Sequence, residues 1–124
     1  MQTLSDVRIE MAEFPGGVRL ARVSGELDAI GAPALAEYAS RLVVGGPFVL
    51  DLNEVTFLGS AGLEVLLDLE DLAAREHVRW ALVGSPRPVA RPLQVTGLGA
   101  RLPMQATVGA ALEMLSAARH PAPL

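Results

Sequence analysis

Cysteine is absent from this 124-residue chain, which excludes disulfides, thiolate metal sites, cysteine nucleophiles and thiol redox sensing together. Aromatic residues amount to only 4% while hydrophobic residues reach 51%, so the core has to be built from Leu, Val and Ala instead of rings. Basic runs are missing too, and the formal net charge is −4. A phosphate-backbone footprint is therefore excluded, and nucleic acid with it. No stretch approaches the roughly 20 apolar residues of a membrane span. The opening MQTLSDVRIEM carries Asp6 and no continuous apolar segment of a secretory signal. The expectation is a cytoplasmic protein with no membrane partner, folded as one domain over 1–124 with a core at about 5–118 and a frayed tail at 119–124.

What the chain does contain is alternating strand and helix signals. Val7, Ile9 and Met11, then Val18 and Leu20 with Ala21 and Val23, flank Pro15-Gly16-Gly17 and predict a β-hairpin. Ala32 to Val43 has helical spacing, with Leu35, Tyr38, Ala39 and Leu42 on one face and Pro33 in the first turn. Phe48 to Leu52 is a short apolar run suited to a strand covered on both sides. Ser60 to Glu76 is the clearest helix: Glu64, Asp68, Asp71 and Arg75 form one polar stripe headed by Ser60. Arg79 to Val83 reads as a strand, Val89 to Val95 as a short helix ending at Gly97, and Leu102-Pro103-Met104 as an edge strand. Thr107 is placed to cap a last helix carrying Val108, Ala111, Leu112 and Leu115. The order ββαβαβαβα predicts an α/β fold: a mixed, mostly parallel sheet of four to five strands, opened by a hairpin, with about four helices packed on it.

Catalytic constellations do not assemble from these residues. His77 and His120 lie far apart, neither with a carboxylate at ligand spacing, and both read as solvated. Glu10, Glu26 and Asp28 show no pattern of a working acid pair. Nucleophilic attack by Ser60 needs a histidine base, and His77 stands at the other end of the same predicted helix, about 25 Å away at 1.5 Å per residue. The segment VTFLGSAGL (Val55–Leu63) has no lysine or phosphate-loop spacing, and it misses the serine-nucleophile elbow by one residue because Gly59 directly precedes Ser60. No cofactor is expected.

Ser60 itself admits two readings. It can be a helix N-cap, with Gly59 and Gly62 relaxing the turn. Against that, Leu63 stands where a capping box would have Glu, and Gly62 in the first turn costs up to about 1 kcal/mol relative to Ala. Asp28 likewise reads as a turn residue or as a partner contact, and the acidic stripe as a solvated face or as part of an interface.

The stretches GELDAIGAPALAE (Gly25–Glu37), DLNEVTFLGSAGLEVLL (Asp51–Leu67) and, more weakly, VGSPRPVARPLQVTGLG (Val83–Gly99) resemble the three signature regions of STAS domains, specifically bacterial anti-sigma factor antagonists. The family pattern is similar to F-M-D-S-[ST]-G-L. Phe57, Leu58, Ser60, Gly62 and Leu63 fit it, and the resemblance makes Ser60 the phosphoacceptor. Two positions depart from it: Gly59 replaces the usual acid, and Ala61 replaces the second hydroxyl. The resemblance implies a non-enzymatic switch that binds an anti-sigma factor with serine kinase activity, releases a sigma factor, and is turned off by phosphorylation. A serine phosphatase is implied as a further partner, and the chain itself as a monomer or weak homodimer. Asp28, Gly59, Ser60, Ala61, Gly62, Glu64 and Asp68 become the implied partner surface, the small residues admitting close approach. Constitutive docking as a STAS subunit of a larger regulatory or transport assembly is the alternative, and a small α/β enzyme the third reading.

Overall fold

The structure, a computed structural model, describes residues 7–119. Strand β1 (Arg8–Phe14) turns back through residues 15–17 into β2 (Val18–Leu27), with Phe14 opposite Val18. Then follow α1 (Ala32–Val44), β3 (Phe48–Leu58), α2 (Ser60–Arg75), β4 (Trp80–Val83), α3 (Arg87–Thr96), a 3-10 turn at Leu98–Ala100, β5 (Met104–Gln105) and α4 (Val108–Arg119). This is the predicted order. The five strands lie in sequential order, β1 antiparallel to β2 and the remaining neighbours parallel.

Alternation along the strands sends side chains to two cores. Ala21, Val23, Phe48, Leu50, Leu52, Trp80 and Leu82 meet the buried faces of α1, α2 and α3. Val18, Leu20, Val49, Ala81 and Val83 meet Ala111 and Leu115 of α4 on the opposite face. The run Phe48 to Leu52 is therefore covered on both sides, as its unbroken apolarity requires. Each such buried Leu, Val or Phe contributes about 1.5–3 kcal/mol. Thr107 caps α4 as expected: its hydroxyl accepts the Ala110 N–H at 3.0 Å.

Several boundaries differ from the sequence reading. Strand β3 runs on to Leu58 instead of stopping at Leu52. Asn53 and Glu54 break its apolar pattern, but the far half of β2 supplies pairing there, with Gly25 opposite Val55 and Leu27 opposite Leu58. Helix α3 starts at Arg87, two residues early, because Pro88 fits the first turn. Strand β5 shifts to Met104–Gln105, while the Pro103 carbonyl accepts the Leu82 N–H at 2.8 Å. Helix α4 reaches Arg119, one residue past the expected core, and HPAPL lies outside the described residues.

Candidate site at the start of helix α2

The strand ends of β2 and β3 bring the predicted residues together. The Gly59 N–H donates to the Leu27 carbonyl at 3.1 Å, so the loop after β2 and the start of α2 share one rim of the sheet. Within that loop Asp28 turns inward: its Oδ1 accepts the N–H groups of Ile30 at 3.0 Å and Gly31 at 2.7 Å, and its carbonyl accepts Ala32 N–H at 2.8 Å. Asp28 thus organises the turn into α1, the turn reading of this residue. Gly31 is needed because a Cβ there would lie 2.0 Å from the Glu26 carbonyl oxygen.

Ser60 is exposed and is the first residue of α2. The cap position belongs to Gly59, in extended backbone at φ −97° and ψ −173°, and no side chain caps this terminus. The N-cap reading of Ser60 is overturned: the chain is already helical at the serine, so its hydroxyl is one residue too late to cap. Leu63 N–H bonds instead to the Gly59 carbonyl at 3.0 Å. Among the described residues the Ser60 hydroxyl has no hydrogen-bond partner. It sits where four backbone N–H groups and the positive end of a 16-residue helix concentrate.

The glycine at 62 has a different cause from the one expected. Gly62 is buried, and a Cβ on it would stand 2.9 Å from both the Leu27 carbonyl oxygen and the Leu27 Cβ. Its smallness lets α2 pack directly on the end of β2, so access for another protein is not why glycine is required. Gly59 and Ala61 are half-buried, and a Cβ at Gly59 would meet the edge of the Phe57 ring at 2.8 Å.

Glu64 and Asp68 are exposed, one and two turns beyond Ser60, at about 6 and 12 Å along the axis. Asp68 borders a small cleft of about 80 Å³ between α1 and α2 that also touches Ser40. Neither acid has an ion-pair partner among the described residues. Two exposed apolar residues stand on the segments that meet at this rim, Phe57 near the end of β3 at 49% exposed and Ile30 in the loop after β2 at 61% exposed, and the sequence reading gave neither this role. In the sequence Phe57 stands out only as a motif match, and its solvent-facing position follows from the irregular pairing near the end of β2 and β3. Behind them a polar chain ties the rim together. Arg22 Nε reaches Asp51 Oδ2 at 3.3 Å, Asp51 Oδ1 accepts Asn53 N–H at 2.9 Å, Asn53 Oδ1 accepts Ser85 N–H at 3.1 Å, and Ser85 Oγ donates to the Ala106 carbonyl at 3.1 Å. Buried Asp51 is thereby satisfied, as a charge at that depth must be.

The STAS domain profile matches residues 10–111. The anti-sigma-F factor antagonist RsfB of Mycobacterium tuberculosis is 31% identical over 100 residues, covering 79% of this chain and 80% of that protein. Osmosensory protein A of the same species is 37% identical over 68 residues, or 54% of this chain, which spans 43% of that protein's length. An anti-sigma factor antagonist from Mycobacterium paratuberculosis, known from its crystal structure, superposes with a TM-score of 0.79 at 31% identity, over 90% of this chain and 97% of that one. SpoIIAA in its unphosphorylated form shares the fold, with a TM-score of 0.68 at 18% identity over 89% of this chain and 97% of that one. Sequence profile, relatives and architecture agree: this chain is a member of the STAS domain family, among its anti-sigma factor antagonists.

Proposed function

We propose that the chain is a phosphorylation-controlled binding switch. Unmodified, it captures an anti-sigma factor that is also a serine kinase and so frees a sigma factor; phosphate on Ser60 ends that binding, and a serine phosphatase restores it. The observation that carries this reading is the Ser60 hydroxyl: exposed, unbonded and at the first residue of α2. A kinase can reach it without unfolding anything. Phosphate adds a charge of about −1.5 to −2, which the helix N-terminus stabilises, so the fold survives modification. The new charge is felt outward, on the helix face of Glu64 and Asp68 and close to exposed Phe57. A partner that buries the Phe57 ring and the Ile30 side chain loses its fit when a dianion is added to the same surface.

The partner surface in this reading comprises Asp28, Gly59, Ser60, Ala61, Glu64 and Asp68, with Gly62 setting the position of the helix from inside and Ile30 and Phe57 added. Binding, not catalysis, is the activity, and the cytoplasm its place. No helix among the described residues is long and apolar enough to cross a membrane. Incubation with the cognate kinase and ATP should place one phosphate on Ser60, read by mass spectrometry of the tryptic peptide. Modification at another residue, or at none, refutes the switch.

A second reading rests on Gly59, which leaves no acid beside the hydroxyl: constitutive docking into a larger assembly. It requires Ser60→Ala and Ser60→Asp to bind the partner equally well, whereas the switch requires only the first to bind.

A further inference from the structure

One groove on the molecule is not explained by its packing. It has a volume of about 580 Å³ and is lined by Thr56, Arg87, Pro88, Arg91, Pro92 and Val95. Val95 is 71% exposed, and Arg87 and Arg91 are both exposed. The two arginines stand four residues apart on α3 and so share a face.

Helix stability argues against that placement. Like charges at this spacing repel, and Arg87 occupies the first turn, where the helix dipole disfavours a cation and no acid is present to offset it. Among the described residues neither guanidinium has a hydrogen bond or an ion pair. Arg19 and Arg22, by contrast, are engaged with carbonyl groups and with Asp51. In a chain of net charge −4, the groove is a positive recess with an apolar wall.

The groove is also part of the rim that carries Ser60. Thr56 lines it and precedes Ser60 by four residues, so the two lie within about 14 Å of each other even if the chain between them were fully extended. Phe57 follows Thr56 and its ring reaches Gly59. A partner burying about 800 Å² on its side covers both at once.

We infer that the α3 groove is a second contact of the same interface and receives an acidic segment of the anti-sigma factor, its carboxylates on Arg87 and Arg91 and an apolar side chain against Pro92 and Val95. The inference rests on the binding reading given above. Guanidinium forks suit this task because they pair with carboxylates through two parallel hydrogen bonds. With the positive groove reached through Thr56, four residues before Ser60, and the acidic stripe starting at Glu64, four residues after it, the surface presents both signs of charge near the serine. Separate patches of opposite sign favour one orientation of the docking partner.

The test is calorimetric titration of the cognate anti-sigma factor with the full chain, wild type and R87E/R91E, R87Q/R91Q, V95A and S60D variants, at low and high salt. R87E/R91E is expected to weaken binding by about tenfold or more and to flatten its salt dependence, with the glutamine pair intermediate. Because neither arginine has a partner in the fold, the unfolding temperature of both pairs should be that of wild type or slightly higher. An R87E/R91E affinity within about twofold of wild type at both salt concentrations, with S60D still about a hundredfold weaker, overturns the groove contact and leaves the switch standing. Absence of wild-type binding removes both. Sedimentation that shows a wild-type dimer dissociated by R87E/R91E would assign the groove to a second copy of the chain, and overturns the inference as well.

Discussion

The two ends of the parallel sheet treat their polar and aromatic groups in opposite ways. Where β2, β3 and β4 begin, side chains are engaged with the fold itself. Arg19 donates to the carbonyls of Leu42 and, at 2.7 Å, Gly46 at the end of α1, and its guanidinium lies 5.9 Å from the Phe48 ring centroid. Burial lowers the pKa of Arg19, an effect opposed by Tyr38 and Glu13. Phe48 stacks on Trp80 at 5.5 Å, and the Trp80 indole N–H donates to Glu70 Oε1 at 2.8 Å. Where the same strands end, the backbone is equally well held, by Asp28, Asn53 and Ser85, but the outward groups are left open. Ser60, Glu64, Asp68, Arg87 and Arg91 have no partners among the described residues, and Ile30, Phe57 and Val95 face solvent, while the other end exposes one large apolar residue, Val44 at the end of α1. In the proposed reading the first end serves mainly stability and the second is the recognition surface. On that reading, a charge added at the second end changes binding without endangering the fold.

This contrast can be broken by measurement. Ser60→Asp should reduce affinity for the anti-sigma factor by about a hundredfold, close to 3 kcal/mol, while Ser60→Ala keeps wild-type affinity; both should unfold at the wild-type temperature. Equal loss of affinity in the two would mean that the hydroxyl is a contact and not a switch. At the other end, Arg19→Met should cost about 2 kcal/mol in urea unfolding by orphaning the α1 carbonyls, with the binding constant unmoved. A drop in affinity there would erase the division of labour.

Gly62→Ala sharpens the comparison because it lies under the open end but acts on packing. Helix propensity favours alanine by about 1 kcal/mol, whereas overpacking against the Leu27 backbone costs about 1–3 kcal/mol. The Leu58 side chain can shift, but the Leu27 carbonyl oxygen cannot rotate away, so a net loss of about 1 kcal/mol is expected. Tilting of the α2 start should also slow phosphorylation of Ser60, read as a lower initial rate. Glu70→Ala has the smallest effect, somewhat below 1 kcal/mol for the bond to Trp80, and none on binding.

Most of the framework was legible in the residues. The element order was read correctly because each strand and helix repeats its apolar positions within a few residues, and the α2 stripe was visible at its helical spacing. Boundaries failed where pairing overrides local pattern. Nothing in Asn53-Glu54 announces a continuing strand, but the second half of β2 makes one. At the site, Ser60 and its acidic neighbours were legible, while the reason for Gly62 was not. A glycine admitting a neighbouring protein and one admitting Leu27 from thirty-five positions earlier look identical in one dimension. The exposure of Phe57 and the convergence of Thr56 with Arg87 and Arg91 were hidden for the same reason.

The residues by themselves determined the α/β order, the apolar β3 centre, a serine at the mouth of a helix and the absence of any cysteine chemistry. These follow from local spacing and composition, which the backbone converts directly into faces and termini. Only the folded chain decided that Gly59 bonds to Leu27, that Asp28 points into its own turn, and that two unpaired arginines share a rim with Ser60. The first and last of these depend on pairing and packing between segments some thirty residues apart, which the whole core sets and no short stretch encodes, while the Asp28 turn is local and the folded chain only chose it between the two readings that the sequence left open.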